Sequence, residues 1–423
     1  MSFGIYLLFL LLLLRTFKNN MRLAHYIIVY TFFFFASQPV SATLDRDSVQ
    51  HTDATDVGRY VHQLMFDFKP GAILHTNEFL RGNNPEMRTM NHDMGFHLKY
   101  AFSAPEQSRT MLIYRDAYQG VGVAYNDFNP QLGNPLSVYL LQGARIASCN
   151  DRLSLNYEWN LGLAFGWNPY DEFSNPDNKV IGSHVTAYIG LGFYLRWILS
   201  RHIDLNAGVD AAHYSNGNTK YPNFGLNTVA LRIGATYCIN RQSSRLLHRH
   251  TPVPPSERGL SYDFIAYGAW RQMALYGDDY SLLLEGKAAV CGFNFNPMYR
   301  INHWLKFGAS LDGIYDRTAN LIELPTDGYE THTPYERPSA AKQMALGLSA
   351  RAEFTMPYFA VNVGIGHNIL NATGEFSGVY EILALKINVT RHALLHIGYS
   401  LNNFHTPRHL MLGVGWRFGK TGM

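Results

Sequence analysis

A histidine, a serine and an asparagine stand at one end of an otherwise apolar strand face, in the stretch AHYSNGNTKYPNFGLN. By parity, Ile203, Leu205, Ala207, Val209 and Ala211 share one side with His213 and Ser215. Asp204, Asn206, Gly208, Asp210, Ala212 and Tyr214 take the other side. A period of two with an apolar and a polar face is the signature of a β-strand. After a turn rich in Gly, Pro and Asn, a second apolar face runs through Asn227, Val229, Leu231, Ile233, Ala235 and Tyr237. Such a cluster could carry out nucleophilic acyl transfer, in which a hydroxyl needs a base within hydrogen-bond reach and a third group to orient that base. Residues i and i+2 of a strand share a face, so His213 can meet Ser215. Asn227 opens the neighbouring strand on that face and can reach the imidazole. A wet rim position explains one such polar residue; three together beside one turn favour chemistry.

The elements that must hold these groups are strands throughout. Of 423 residues, 47% are hydrophobic and only 16% charged, so a charge-rich soluble surface is not expected; 27 Tyr and 26 Phe add many aromatics. No segment of the mature chain approaches the ~20 apolar residues of a membrane helix. Low charge, many aromatics and no spanning helix fit a transmembrane β-barrel. A net charge of +3 is too small to argue for nucleic acid as a partner. Alternation predicts eight strands, near 60–75, 92–103, 119–128, 136–147, 153–167, 183–199, 203–216 and 227–239. Eight more follow near 260–272, 282–296, 303–316, 341–355, 358–367, 378–390, 392–403 and 409–418. The broad apolar faces end in Trp or Tyr, as aromatic girdles do at lipid headgroups. Short turns at 148–152, 200–202, 356–358 and 390–392 alternate with longer connections at 168–182, 216–226 and 317–340, the asymmetry of outer-membrane barrels. That alternation sets His213, Ser215 and Asn227 at the outer end of the apolar band.

Residues 240–258 form a polar, Pro-bearing linker between the two sets of strands. One antiparallel barrel of about 16 strands is the expectation, because single-chain barrels of that size are ordinary; the alternative is an eight-stranded barrel over 43–239 plus a second barrel unit over 259–423. Residues 1–42 read as an export signal: from Met21, the expected start, Arg22 precedes an apolar run and a Val40-Ser41-Ala42 cleavage site. Cys149, Cys238 and Cys291 follow no zinc or redox spacing and are expected as free thiols, with a Cys149–Cys238 bridge conceivable in an oxidising compartment. The final strand, LMLGVGWRF, ends in an aromatic residue and resembles the assembly signal of outer-membrane proteins, with five residues beyond Phe418.

His-x-Ser-Asn followed by Pro-Asn-x-Gly resembles the motif of the lipid A 3-O-deacylases, outer-membrane β-barrel esterases. The resemblance covers about 60–240 and is specific over 213–227. It implies His213 as general base, Ser215 as nucleophile, Asn223 as an oxyanion donor and Asn216 as its support. The family's third member of the triad is a Glu twelve residues after the serine; here that position is Asn227. The substrate implied is lipid A, or lipopolysaccharide, in the outer leaflet of a bacterial-type outer membrane. No metal or cofactor is implied. Two other classes stand beside this one: a passive pore with Arg145, Arg196 and Arg232 in its lumen, and a structural or adhesive barrel using its long loops. Neither accounts for three polar residues facing lipid.

Overall fold

A strand that is apolar outside and polar inside can sit in a bilayer only if its sheet closes, because an open edge would leave backbone groups unpaired in hydrocarbon. The computed structural model describes residues 59–419 apart from 107, 247–251, 273, 277–280, 284–285, 324–334 and 405, and the expected export signal over 1–42 lies outside the described residues. Eight strands form a first closed barrel: β1 Val61–Leu74, β2 His92–Ser103, β3 Tyr118–Asp127, β4 Gly133–Ser148, β5 Leu153–Trp167, β6 Val185–Ile198, β7 Ile203–Ser215 and β8 Leu226–Ile239. Eight more form a second: β9 Gly259–Arg271, β10 Ala288–Arg300, β11 Leu305–Asp316, β12 Met344–Thr355, β13 Phe359–Leu370, β14 Val379–Asn388, β15 Ala393–Asn402 and β16 Thr406–Gly419.

All neighbours are antiparallel. The two-barrel alternative is therefore the one that forms, in place of a single 16-stranded ring. The deciding pairs are β8 on β1, with Leu64 opposite Tyr237, and β16 on β9, with Ile265 opposite Gly415. Alternation reports which way a side chain faces but not which strand the eighth one meets, so the sequence left this open. The second barrel also holds a strand longer at one end than its sequence suggests. Pro297 is a stop signal, yet β10 runs on to Arg300. Pro297 pairs with Tyr262 of β9, while the ladder to β11 skips from Phe295–Leu311 to Met298–Gly308. A missing N–H is tolerated where the ladder is already interrupted.

Both barrels are apolar outside and ionic inside. Leu191, Phe193, Leu195 and Trp197 of β6 and Leu231 and Ile233 of β8 are exposed, as are Val414 and Trp416 of β16. Inside the first barrel, Lys99 Nζ bridges Asp67 at 2.6 Å and Glu158 at 2.9 Å. Arg232 bridges Glu158 at 3.1 Å and Asp210 at 2.6 Å, and Lys69 reaches Asp210 at 3.0 Å. The second lumen repeats the device, with Glu353 held by Lys306 at 2.8 Å and Lys386 at 2.6 Å, and Asp312 by Arg351 at 2.7 Å. Buried charges persist only when paired in this way. No helix among the described residues is long and apolar enough to cross a membrane. All three cysteines are free, Cys149 and Cys291 exposed and Cys238 buried.

The barrels touch at both ends. Near the short turns, Tyr114 Oη donates to the carbonyl of His303 at 3.1 Å, and Trp159 of β5 meets Phe359 of β13 edge to face with centroids 5.1 Å apart. Near the long loops, the β7–β8 turn meets residues that follow β9 and begin β16.

Candidate active site

The strand that carries the cluster is fixed from inside the barrel. Between His213 and Ser215, Tyr214 points inward and is fully buried. Its ring packs edge-on against Trp167 and tilted against Tyr188, each with centroids 5.2 Å apart, and its hydroxyl donates to Asn126 Oδ1 at 3.1 Å. An aromatic plug therefore backs the outer end of β7, and its two neighbours must face out. His213 and Ser215 are half-buried on the outward face.

Register brings the third group to them. His213 is the β-partner of Asn227, and Asn227 Oδ1 lies 2.7 Å from His213 Nδ1. An amide oxygen only accepts. Nδ1 must therefore carry the ring proton, which leaves Nε2 as the basic nitrogen. Among the described residues no hydrogen bond joins His213 to Ser215; the two share a face as strand positions i and i+2. A looser nucleophile–base contact is common before substrate binds.

The donors around the serine come from the turn 216–225. Asn223 Nδ2 donates to Ser215 Oγ at 2.9 Å, and the backbone N–H of Gly217 donates to the same oxygen at 3.1 Å. Asn223 is itself oriented, because its Oδ1 accepts from the Asn216 N–H at 3.0 Å. The Asn216 side chain does something other than face the serine: its Nδ2 donates to the Lys220 carbonyl at 2.6 Å and closes the turn. Gly217 and Asn218 both hold left-handed backbone, with φ of 63° each, a conformation open to Gly and tolerated by Asn.

Sequence reasoning missed three contributors. Gly217 supplies a donor to the serine oxygen. Gly225, with φ of 75°, lets the chain pass the imidazole: a Cβ there would sit 2.9 Å from His213 Cε1. The signal for both was the Gly immediately after Ser-Asn and the Gly closing Pro-Asn-Phe-Gly. The third is the outer loop between β5 and β6. Its Lys179 and Val180 carbonyls accept from the N–H groups of Phe224 and Gly225 at 3.2 and 3.0 Å. Nothing in that loop's composition announces the role.

Carboxylates near the mouth make no hydrogen bond to His213 or Ser215 among the described residues. Asp127 and Glu172 are exposed. In the loop, Asp171 accepts from the Ser174 amide and hydroxyl and from the Phe173 amide, bonds that hold its carboxyl below the usual range.

Two family models match the chain. Residues 94–236 match "Lipid A 3-O-deacylase (PagL)", and residues 260–420 match "Acyloxyacyl hydrolase, C-terminal domain". Solved structures similar to it include the outer membrane enzyme PagL, 17% identical over 40% of this chain and 97% of that one, with a TM-score of 0.27. The COG4313 outer membrane channel from Pseudomonas putida F1 is 11% identical over 88% of this chain and 99% of that one, with a TM-score of 0.19. The Acinetobacter baumannii outer membrane protein Omp33 is 8% identical over 85% and 98%, with a TM-score of 0.15. Among curated proteins nothing matches.

Proposed function

Given that this chain belongs, through its first barrel, to the outer-membrane lipid A 3-O-deacylase family, we propose that it removes an ester-linked acyl chain from lipid A by a Ser/His mechanism centred on Ser215. Ser215 Oγ attacks the ester carbonyl while His213 Nε2 takes the hydroxyl proton. Asn227 Oδ1 holds the Nδ1 proton and so keeps the ring in the tautomer that the step needs. The carbonyl oxygen becomes an oxyanion, received by Asn223 Nδ2 and the Gly217 N–H, the two donors already gathered at the serine. Collapse breaks the ester C–O bond, and the sugar alkoxide leaves with the proton from His213. Water, deprotonated by the same imidazole, then releases the fatty acid and restores Ser215.

The observation that carries this reading is the pairing of His213 with Asn227 at 2.7 Å on the lipid face, beside Asn223 on Ser215 at 2.9 Å. Polar side chains facing hydrocarbon are costly, which marks their positions as functional candidates. A site on that face suits an amphiphile that arrives by lateral diffusion within the outer leaflet. Residues 43–239 would form the catalytic unit and 259–423 an appended one, joined by 240–258. A passive pore is disfavoured by the ion pairs buried in both lumens, where Arg232, Lys99, Lys306 and Lys386 fill space a solute would need. Mass spectrometry of lipid A from cells making the wild-type chain or Ser215→Ala tests the proposal. Loss of one acyl chain should depend on Ser215; identical lipid A in both would return the protein to a pore or scaffold role.

A further inference from the structure

We infer that the second barrel is a working part of the deacylase site, and that Gln272, which follows β9, is a positioning residue for the turn that holds the oxyanion donors. The inference rests on the deacylase reading of Ser215 and extends it to a residue outside the catalytic barrel. Gln272 grips the turn at two points. Its backbone N–H donates to the Asn218 carbonyl at 2.9 Å, and its side-chain Oε1 accepts from the Tyr221 N–H at 3.1 Å. Two further contacts come from β16. Asn218 Nδ2 donates to the Pro407 carbonyl at 3.3 Å. The Leu410 side chain lies against Gly217, with its Cγ 2.6 Å from where a Cβ would stand. On its other flank the same turn is tied to the β5–β6 loop through Phe224 and Gly225.

A short path therefore links the second barrel to the nucleophile. Asn218 Oδ1 accepts from Asn223 Nδ2 at 3.2 Å, and that nitrogen donates to Ser215 Oγ at 2.9 Å. The turn closes on itself through Asn216, whose carbonyl accepts from Thr219 Oγ1 at 2.9 Å and whose Nδ2 donates to the Lys220 carbonyl, so the second barrel sets where the closed turn sits rather than whether it closes. Without the Gln272 side chain the bond to the Tyr221 N–H is lost, and one of the contacts that fix residues 218–221 against the second barrel goes with it. Oxyanion donors act only when preorganised at the reacting atom, so a shifted turn lowers turnover rather than lipid binding. The second barrel thus supplies one wall of the turn and sets the position of Asn223.

The test uses the full-length protein in detergent micelles with lipid A as substrate. Gln272→Met keeps the side-chain length and removes the acceptor; Gln272→Ala is the second variant, and Gln272→Glu restores an acceptor oxygen. Gln272→Met and Gln272→Ala should lower kcat about 10-fold, the scale of one lost hydrogen bond, with KM unchanged. Gln272→Glu should recover most of the rate. In an Asn223→Ala background, Gln272→Met should cost nothing more, because both act through the same donor. Unchanged kcat in folded Gln272→Met, or a full additional loss in the Asn223→Ala background, would overturn the positioning role while leaving the deacylase reading intact. Absence of acyl release from the wild type itself would overturn both.

Discussion

His213 Nδ1 and Asn227 Oδ1 lie 2.7 Å apart across the β7–β8 pair, as register partners on the outward face of the barrel. A carboxamide in this position does half of what a carboxylate would. It fixes the tautomer and the ring plane, but offers no charge to balance the imidazolium that the proposed attack by Ser215 would form. Replacing Asp by Asn in serine-protease chemistry costs about 10⁴ in rate, in part because the wrong tautomer is selected. Here the oxygen faces the ring, so only the missing charge is at issue.

Asn227→Glu is expected to keep the fold and raise kcat by about 10-fold, the scale that separates a charge-assisted from a neutral hydrogen bond. Asn227→Ala should lower it by a similar factor. Initial rates of the three proteins across pH 6 to 9 check both directions. Full wild-type rate in Asn227→Ala would mean that another group orients His213.

Removing the amide donor at the serine should cost more. Asn223→Ala is expected to reduce kcat by about 10²–10³, as loss of one oxyanion donor does elsewhere, and to leave KM close to wild type. A change confined to KM would place Asn223 in substrate binding instead.

Gly225 gives a steric test of the base. A Cβ at this position meets His213 Cε1 at 2.9 Å, and the φ of 75° already disfavours any L side chain. Gly225→Ala should displace the imidazole and reduce turnover, on the order of 10²-fold for a shift of about 1 Å. Heat-modifiable migration should persist, since neither barrel lumen is touched.

The ionic interior offers a test of stability apart from the site. Arg232 pairs with Glu158 and Asp210 in a fully buried setting. Arg232→Met leaves those carboxylates short of a counter-charge and should destabilise the first barrel by about 3–5 kcal/mol. The fall would be read as a lower denaturant midpoint for loss of heat-modifiable migration. An unchanged midpoint would show that Lys69 and Lys99 suffice.

Much of this was legible in the residues. The alternation in Ile203–Ala211 against Asp204–Asp210 predicts an inside-out sheet, and it places His213 and Ser215 on the lipid face because i and i+2 cannot part company on a strand. The closeness of Asn227 followed from the same parity across a single turn. Barrel closure was not legible, because the pairing of β8 with β1 joins residues far apart in sequence through backbone groups that every residue carries. Asn216 was expected beside the oxyanion donor; its N–H orients Asn223 while its side chain closes the turn onto Lys220, and type and position alone do not say where an amide side chain points. Gln272 was out of reach for a related reason. Its partners Asn218 and Tyr221 belong to another barrel, and a backbone N–H seeking an acceptor leaves no mark on composition.

The most direct measurement is acyl release from purified lipid A by the full-length protein in micelles, comparing wild type with Ser215→Ala and His213→Ala. Wild type should liberate one fatty acid per lipid A, and each variant, folded by heat-modifiable migration, should be slower by several orders of magnitude, because the two residues act as a unit. Equal release by all three proteins would contradict the assignment of Ser215 and His213 as nucleophile and base.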